Sequence, residues 1–436
     1  MEWVIPCILV ISSLFVLFAT GLPIAFAMSI IGLFGLAIMQ GIPGLFGLPI
    51  WIFGSMNSFS LVAVPLFVFL AEVLEFTGIT HDLFDLFRYS LRRIPGSLAL
   101  SSVLGSAVFA AVSGSSMATA AVMGKIAVPE MLRSRYDQRL AAGAVAVGGT
   151  LGILIPPSIP MIILGSVAEI SVARLFMGGI IPGIILAVAL CTPILIACKY
   201  KRDLAPMVGE RKSGREMIFL FLRTWPFATL IIGIIGSMYA GIATPSEAAG
   251  VGAVMSLVIA AAFGKLQWKT LKLTLLSTVK TTAFIMFIFA TVTIFTRMTS
   301  LAGIPQGFVS LVVGASLSKW VVLLLMILIF FILGMFIDSI SIILITMPIF
   351  IPIIRTLGFD PVWFGVLTVI NLELGLITPP VGLNAYVVYG TISEEDVTLE
   401  TVFRGIMPFM PIFLIVTIIL IVFPNLVLWL PNSIFG

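Results

Sequence analysis

Two stretches, Gly152-Ile153-Leu154-Ile155-Pro156-Pro157-Ser158 and Gly375-Leu376-Ile377-Thr378-Pro379-Pro380-Val381, carry one pattern at an offset of 223 residues. Each lies inside a long apolar run, 140–165 in the first case and 362–389 in the second. A double proline ends a helix, because the second ring offers no N–H and clashes with the preceding turn, and the residue before a proline is pushed out of the helical region. At the same offset Pro129 matches Pro352 and Ser116 matches Ser339. The matched breaks predict two related halves, each built around one broken helix.

The surroundings of these breaks belong in a bilayer. Hydrophobic residues make up 60% of the 436 and charged ones 10%, where a soluble domain is about a quarter charged; the mean hydropathy is +1.24. Spans of about 20 apolar residues fall at 3–20, 22–40, 59–78, 140–165 and 173–197, and again at 224–240, 246–264, 281–299, 362–389 and 406–430. Two further segments, 96–130 and 320–355, are each long enough for two short helices and are interrupted by Ser113-Gly114-Ser115-Ser116 and Asp338-Ser339-Ile340-Ser341.

Short cytoplasmic loops collect Lys and Arg, and 17 of the 23 basic residues fall in 84–93, 131–139, 199–223 and 265–280. Segment 96–130 has basic residues at both ends and therefore reads as a hairpin that enters from the cytoplasm and returns there. Segment 320–355 then enters from the other side, and the two halves are inverted. The expected fold is an all-α polytopic membrane protein of two inverted repeats, 1–198 and 224–436, joined by a cytoplasmic linker at 199–223. Each repeat holds about five transmembrane helices, one broken, plus a re-entrant hairpin, and both termini face the periplasm. The first apolar run has no cleavage motif and reads as a retained span. Residues 82–93 and 265–280 mix charge with Leu, Phe or Trp in the manner of helices in the interface plane. They read equally as plain interfacial loops and as arms between a fixed scaffold and a moving part.

Irregular backbone survives at membrane depth only where it is buried in protein or lines a watery cavity, and paired broken helices point to a transporter's midplane site. Carbonyls freed by the breaks, with neighbouring hydroxyls and hairpin helix ends, are hard oxygen ligands suited to a small cation such as sodium. One site is expected from Ser113, Ser115 and Ser116 with Gly152, Ile155 and Pro156, and a second from Asp338 and Ser339 with Gly375, Thr378 and Pro379. The solute is expected between them, near Gly114, Pro157, Ser158, Pro380 and Asn384, although hydroxyls such as Thr119 and Ser158 serve equally well as bonds within their own helix. Asp338 and Glu373 are intramembrane carboxylates and so candidate cation ligands or proton carriers, with structural pairing an equal reading for Glu373. Glu247 sits three residues after Thr244 in a capping-box spacing. Arg297 near a helix end either meets an anionic solute or snorkels to the interface.

No phosphate loop, HExxH or GxSxG pattern occurs, and Cys7, Cys191 and Cys198 have neither CxxC nor metal-ligand spacing. The single histidine, His81, reads as a surface residue. An enzyme is not expected, nor a cofactor, a transition metal or a nucleic-acid partner, and a repeated channel filter is not evident.

AVSGSSMATAAVMGKIAVPEM (111–131), GGTLGILIPPSIPMIILG (148–165), GIATPSEAAGVGA (241–253), GMFIDSISIILITMPIFIPI (334–353) and NLELGLITPPVGLNAYVV (371–388) resemble the large membrane (M) subunit of tripartite ATP-independent periplasmic (TRAP) transporters, across nearly the whole chain. The resemblance implies an elevator-type carrier in the bacterial inner membrane that imports organic acids, carboxylates or sialic acid, by sodium symport. It implies a separate small (Q) membrane subunit and a soluble periplasmic substrate-binding protein as partners. It also implies sodium sites on the tip and break residues named above. Arg297 departs from that pattern. The other reading of the sequence is a stand-alone proton- or sodium-coupled anion carrier or antiporter that works without a binding protein.

Overall fold

A computed structural model describes residues 3–206, 213–314, 317–392 and 397–435, and every regular element among them is helical. Among the described residues, seven helices are long and apolar enough to cross a bilayer: Phe59–Thr77, Val172–Tyr200, Arg215–Tyr239, Pro245–Ala262, Trp268–Leu301, Ser339–Thr356 and Leu399–Val422. The molecule is therefore a multi-pass membrane protein. The expected spans at 3–20 and 22–40 form helices of 16 and 17 residues, Val4–Ala19 and Ile24–Gln40. At 1.5 Å per residue these fall just short of the roughly 30 Å hydrocarbon thickness.

Three segments differ from the sequence reading. Residues 265–280 do not form a separate in-plane helix, because Trp268–Leu301 runs unbroken for 34 residues. No proline or glycine interrupts Trp268–Leu301. The apolar run 406–430 is two helices, Met410–Val422 and Asn425–Phe435, divided at Phe423 and Pro424. An additional apolar helical segment, Ile42–Met56, lies between the second and third expected spans. Of the linker at 199–223, Gly214–Arg223 is helical behind a Ser213/Glu216 capping box; the linker residues 207–212, with Arg211 and Lys212, lie outside the described residues. The Thr80–Ser90 helix, by contrast, stands alone at the place expected for an arm, and Arg88 Nη1 lies 2.7 Å from Glu130 Oε1 on the neighbouring hairpin.

Both interrupted segments are helical pairs. The first is Ser97–Ser113 followed by Ser116–Arg133, and the second is Lys319–Gly334 followed by Ser339–Thr356. The two second limbs begin and end at positions 223 residues apart and each has 18 residues. Their N-caps also correspond: Ser115 Oγ accepts from the Ala118 amide at 3.3 Å, and Asp338 Oδ1 accepts from the Ser341 amide at 3.0 Å. A side-chain acceptor at that position satisfies one of the amides that a helix start leaves without a partner.

The broken runs follow each pair. Gln138–Gly149 continues through a 3-10 turn, Thr150–Ile153, to the break and then to Ile159–Ala168. Pro361–Leu376 runs to the second break and Leu383–Tyr389 follows. The Pro156–Pro157 and Pro379–Pro380 bonds are both cis. Packing then crosses between halves. The Ser116–Arg133 limb lies on Leu383–Tyr389, and the Ser339–Thr356 limb lies on Ile159–Ala168, where Arg355 Nη2 donates to the Ala168 carbonyl at 3.1 Å. Gly143 and Gly405 bring Gln138–Gly149 and Leu399–Ile406 into backbone contact. This exchange sets both breaks and both tips around one centre.

Candidate functional site

At the first tip, Gly114 takes φ +63°, which only glycine adopts freely, and turns the chain between the two limbs. Its carbonyl accepts from the Ile159 amide at 3.1 Å, which ties the tip to the helix after the first break. A side chain on Gly114 would meet the Pro157 carbonyl at 2.9 Å, and one on Gly152 would collide with the Ser115 carbonyl. Ser113 Oγ and Thr119 Oγ1 lie 2.7 Å apart, and Thr119 Oγ1 donates to the Ser115 carbonyl at 2.8 Å. The fold thus joins Ser113, Gly114, Ser115 and Ser116 to Gly152 and Pro157. Thr119 and Ser158 both have structural work as well, Ser158 Oγ accepting from the Met161 amide at 3.3 Å. The Ile155 side chain packs toward Gly183.

At the second tip, the Asp338 carboxylate caps its helix and accepts from Ser341 Oγ at 2.5 Å. Ser339 is buried and its hydroxyl has no hydrogen-bond partner. Gly375 lies against Gly334 of the hairpin's first limb, where an added side chain would meet Gly334 Cα at 2.5 Å. Thr378 Oγ1 donates back to the Leu374 carbonyl at 2.6 Å. Pro156 and Pro157 are buried, whereas Pro379 is half-buried and Pro380 exposed.

Around each break the backbone carbonyls are open. Among the described residues, no hydrogen bond reaches the carbonyls of Ile155, Pro156 and Pro157, nor those of Thr378, Pro379 and Pro380. Both clusters so present carbonyl oxygens, hydroxyls and, in the second, a nearby carboxylate, a donor set that matches a hard monovalent cation.

The two tips meet. Ser113 to Ala118 and Asp338 to Ile340 line one cavity of about 390 Å³, with Ile153, Ile159 and Leu376 from beside the breaks. The helix starts at Ser116 and Ser339 both face it, and the N-terminal ends of helices carry partial positive charge that favours anions. The proline pairs, Ser158, Thr378, Asn384 and Arg297 are not among the lining residues. Arg297 instead stacks its guanidinium 4.8 Å from the Trp51 ring centroid, on the helical segment the span reading left out.

Glu373 and Asn384 are fully buried, and neither side chain has a hydrogen-bond partner. Ser116, from the other half, lies close to the Glu373 carboxylate without completing hydrogen-bond geometry. Glu247 behaves as a cap: Oε2 accepts from the Thr244 amide at 2.8 Å.

Sequence reasoning missed another part of the cavity lining, which includes Glu72 and Glu75 with Thr281 and Phe284. The signal was present, since two carboxylates three residues apart in the 59–78 span share one helical face. They lie toward the end of that span, where charge is ordinary.

The model of one protein family, described as the tripartite ATP-independent periplasmic transporter, DctM component, matches residues 11–426. The chain is 38% identical over 390 residues to the C4-dicarboxylate TRAP transporter large permease protein DctM of Pseudomonas aeruginosa, covering 88% of this chain and 89% of that one. It is 32% identical over 422 residues to the sialic acid TRAP transporter large permease protein SiaM of Vibrio cholerae, covering 95% and 96%. Among solved structures, the YdaH transporter of Alcanivorax borkumensis superposes with a TM-score of 0.65 at 14% identity, over 91% of this chain and 90% of that one, a likeness of fold alone.

Proposed function

The chain belongs to the DctM component family of tripartite ATP-independent periplasmic transporters, and on that premise we propose that it is the subunit that carries a small organic acid across the bacterial inner membrane by sodium symport. Its relatives are named as transporter permeases, which places it among transporters rather than enzymes. The observation that carries the proposal is the meeting of both hairpin tips on one cavity of about 390 Å³, within the 300–1,000 Å³ range of small-molecule sites.

The solute's carboxylate is bound at the helix start at Ser116, whose cap is the uncharged Ser115. Sodium occupies two related sites: Ser113, Ser115, Ser116, Gly152, Ile155 and Pro156 hold one, and Asp338, Ser339, Gly375, Thr378 and Pro379 hold the other. The open carbonyls at both breaks support this assignment. The recurrence of the capped hairpin limbs 223 residues apart supports reading 1–198 and 224–436 as inverted repeats with re-entrant hairpins. The hairpins and broken helices move as one body against the remaining helices, an elevator, with the Thr80–Ser90 arm between them. A small membrane subunit completes the scaffold, and a periplasmic binding protein delivers the solute. Both termini face the periplasm, as the distribution of basic residues supports.

Uptake into proteoliposomes containing the chain with its small subunit tests the proposal, with and without the binding protein, under imposed sodium or proton gradients. The expected result is saturable uptake that needs an inward sodium gradient and the binding protein. Uptake driven by protons alone removes the sodium assignment, and uptake indifferent to the binding protein favours the stand-alone carrier.

A further inference from the structure

The cavity between the hairpin tips has an acidic wall that an organic-acid carrier does not need for its anion. Glu72 and Glu75 line the same cavity as Ser116 and Ser339, and no Lys, Arg or His is among its lining residues. Negative charge on the solute is therefore met at the helix start at Ser116, since the Asp338 carboxylate already caps the start at Ser339.

The two glutamates are only partly committed elsewhere. Ser277 Oγ donates to Glu72 Oε1 at 2.6 Å, and a carboxylate offers about four acceptor positions. Lys125 Nζ stands 3.5 Å from Glu75 Oε1, with the lysine side chain 64% exposed; an exposed pair at that distance contributes little. A further polar group in the same cavity, the buried Ser339 hydroxyl, has no partner at all. Glu72 and Glu75 thus keep carboxylate acceptor positions beyond those that Ser277 and Lys125 occupy.

Resting on the reading of this cavity as the solute path, we infer that the solute is a monocarboxylate whose remainder is rich in O–H or N–H donors, and that Glu72 and Glu75 select for that remainder. A dicarboxylate anchored at the Ser116 helix start would bring its second charge among Glu72, Glu75 and Asp338, a like-charge encounter. Rejection by such an unpaired or repulsive contact is a common source of specificity. Hydroxyl, amide or ammonium groups satisfy the same oxygens.

The test is thermal stabilisation of the purified membrane complex in nanodiscs, in sodium, by three probes: succinate, gluconate and N-acetylneuraminate. The expected result is half-maximal stabilisation by gluconate or N-acetylneuraminate at a concentration at least about tenfold below that for succinate. The E72Q/E75Q variant is expected to lose that preference, and E75Q alone, whose lysine partner is exposed, to reduce it. Gln keeps an acceptor for Ser277, and the melting temperature without probe shows that each variant is folded. Preference for succinate, or a preference unchanged in both variants, overturns this inference and leaves the carrier reading intact. No response to any of the three acids overturns the reading of the cavity itself.

Discussion

Gly152 and Ser115 touch through their backbones, so that a methyl group on Gly152 would collide with the Ser115 carbonyl oxygen and lie 2.8 Å from Ser116 Cα. The obstacle is main chain on both sides, which has no rotamer through which to yield. Overpacking of this kind costs about 1–3 kcal/mol.

The G152A variant is accordingly expected to lower the melting temperature and to displace the first tip from the break. Sodium-driven uptake should fall by more than about tenfold, since a shift near 1 Å in a positioned site is enough for losses of that size or greater. Normal uptake with normal stability would show that the tip does not need this contact.

Glu373 is fully buried with both oxygens unpartnered, and the charged form of a carboxyl in such a place is destabilising unless a cation meets it. The E373Q variant removes the charge at nearly constant volume. It is expected to melt higher than the native protein in the absence of sodium and to gain less from added sodium. Equal gains in both would mean that no cation reaches this carboxylate.

Asp338 is a helix cap in position and geometry, and Asn is as good a cap as Asp. D338N should therefore leave the melting temperature close to native, whereas D338A should cost about 1 kcal/mol of stability. If the carboxylate also binds sodium, D338N uptake requires a higher sodium concentration for half-maximal rate. An unchanged sodium dependence would confine Asp338 to capping.

Arg297 lies over Trp51 and away from the cavity. The R297A variant should lose about 0.5–1 kcal/mol of stability and keep its uptake and its concentration dependence for the solute. A large rise in the solute concentration needed for half-maximal uptake would return Arg297 to the binding site.

Much of this arrangement was legible in one dimension, because a bilayer permits few structures. Apolar length and the scarcity of charge identify spans, and an element that must satisfy its backbone internally can break only where protein or water supplies partners. The two Pro-Pro pairs and the Ser-Gly-Ser-Ser and Asp-Ser-Ile-Ser tips were therefore visible as related positions before any contact was known. Glu247 announced its role through local spacing alone, since a capping box is completed within four residues.

What the chain by itself determined was the helical class, the two tips, the two breaks and their recurrence. Tertiary structure decided which of those residues share a cavity, because that depends on each hairpin packing against the broken helix of the other half, and no local pattern encodes a crossing of that kind. It placed Arg297 on Trp51, left Glu373 and Asn384 buried without partners, and brought Glu72 and Glu75 into the cavity that the tips line. The physical reason is that hydrophobic periodicity specifies which face of a helix is buried but not which neighbour buries it. A charge at the end of a span looks the same in sequence whether it meets lipid headgroups or a solute.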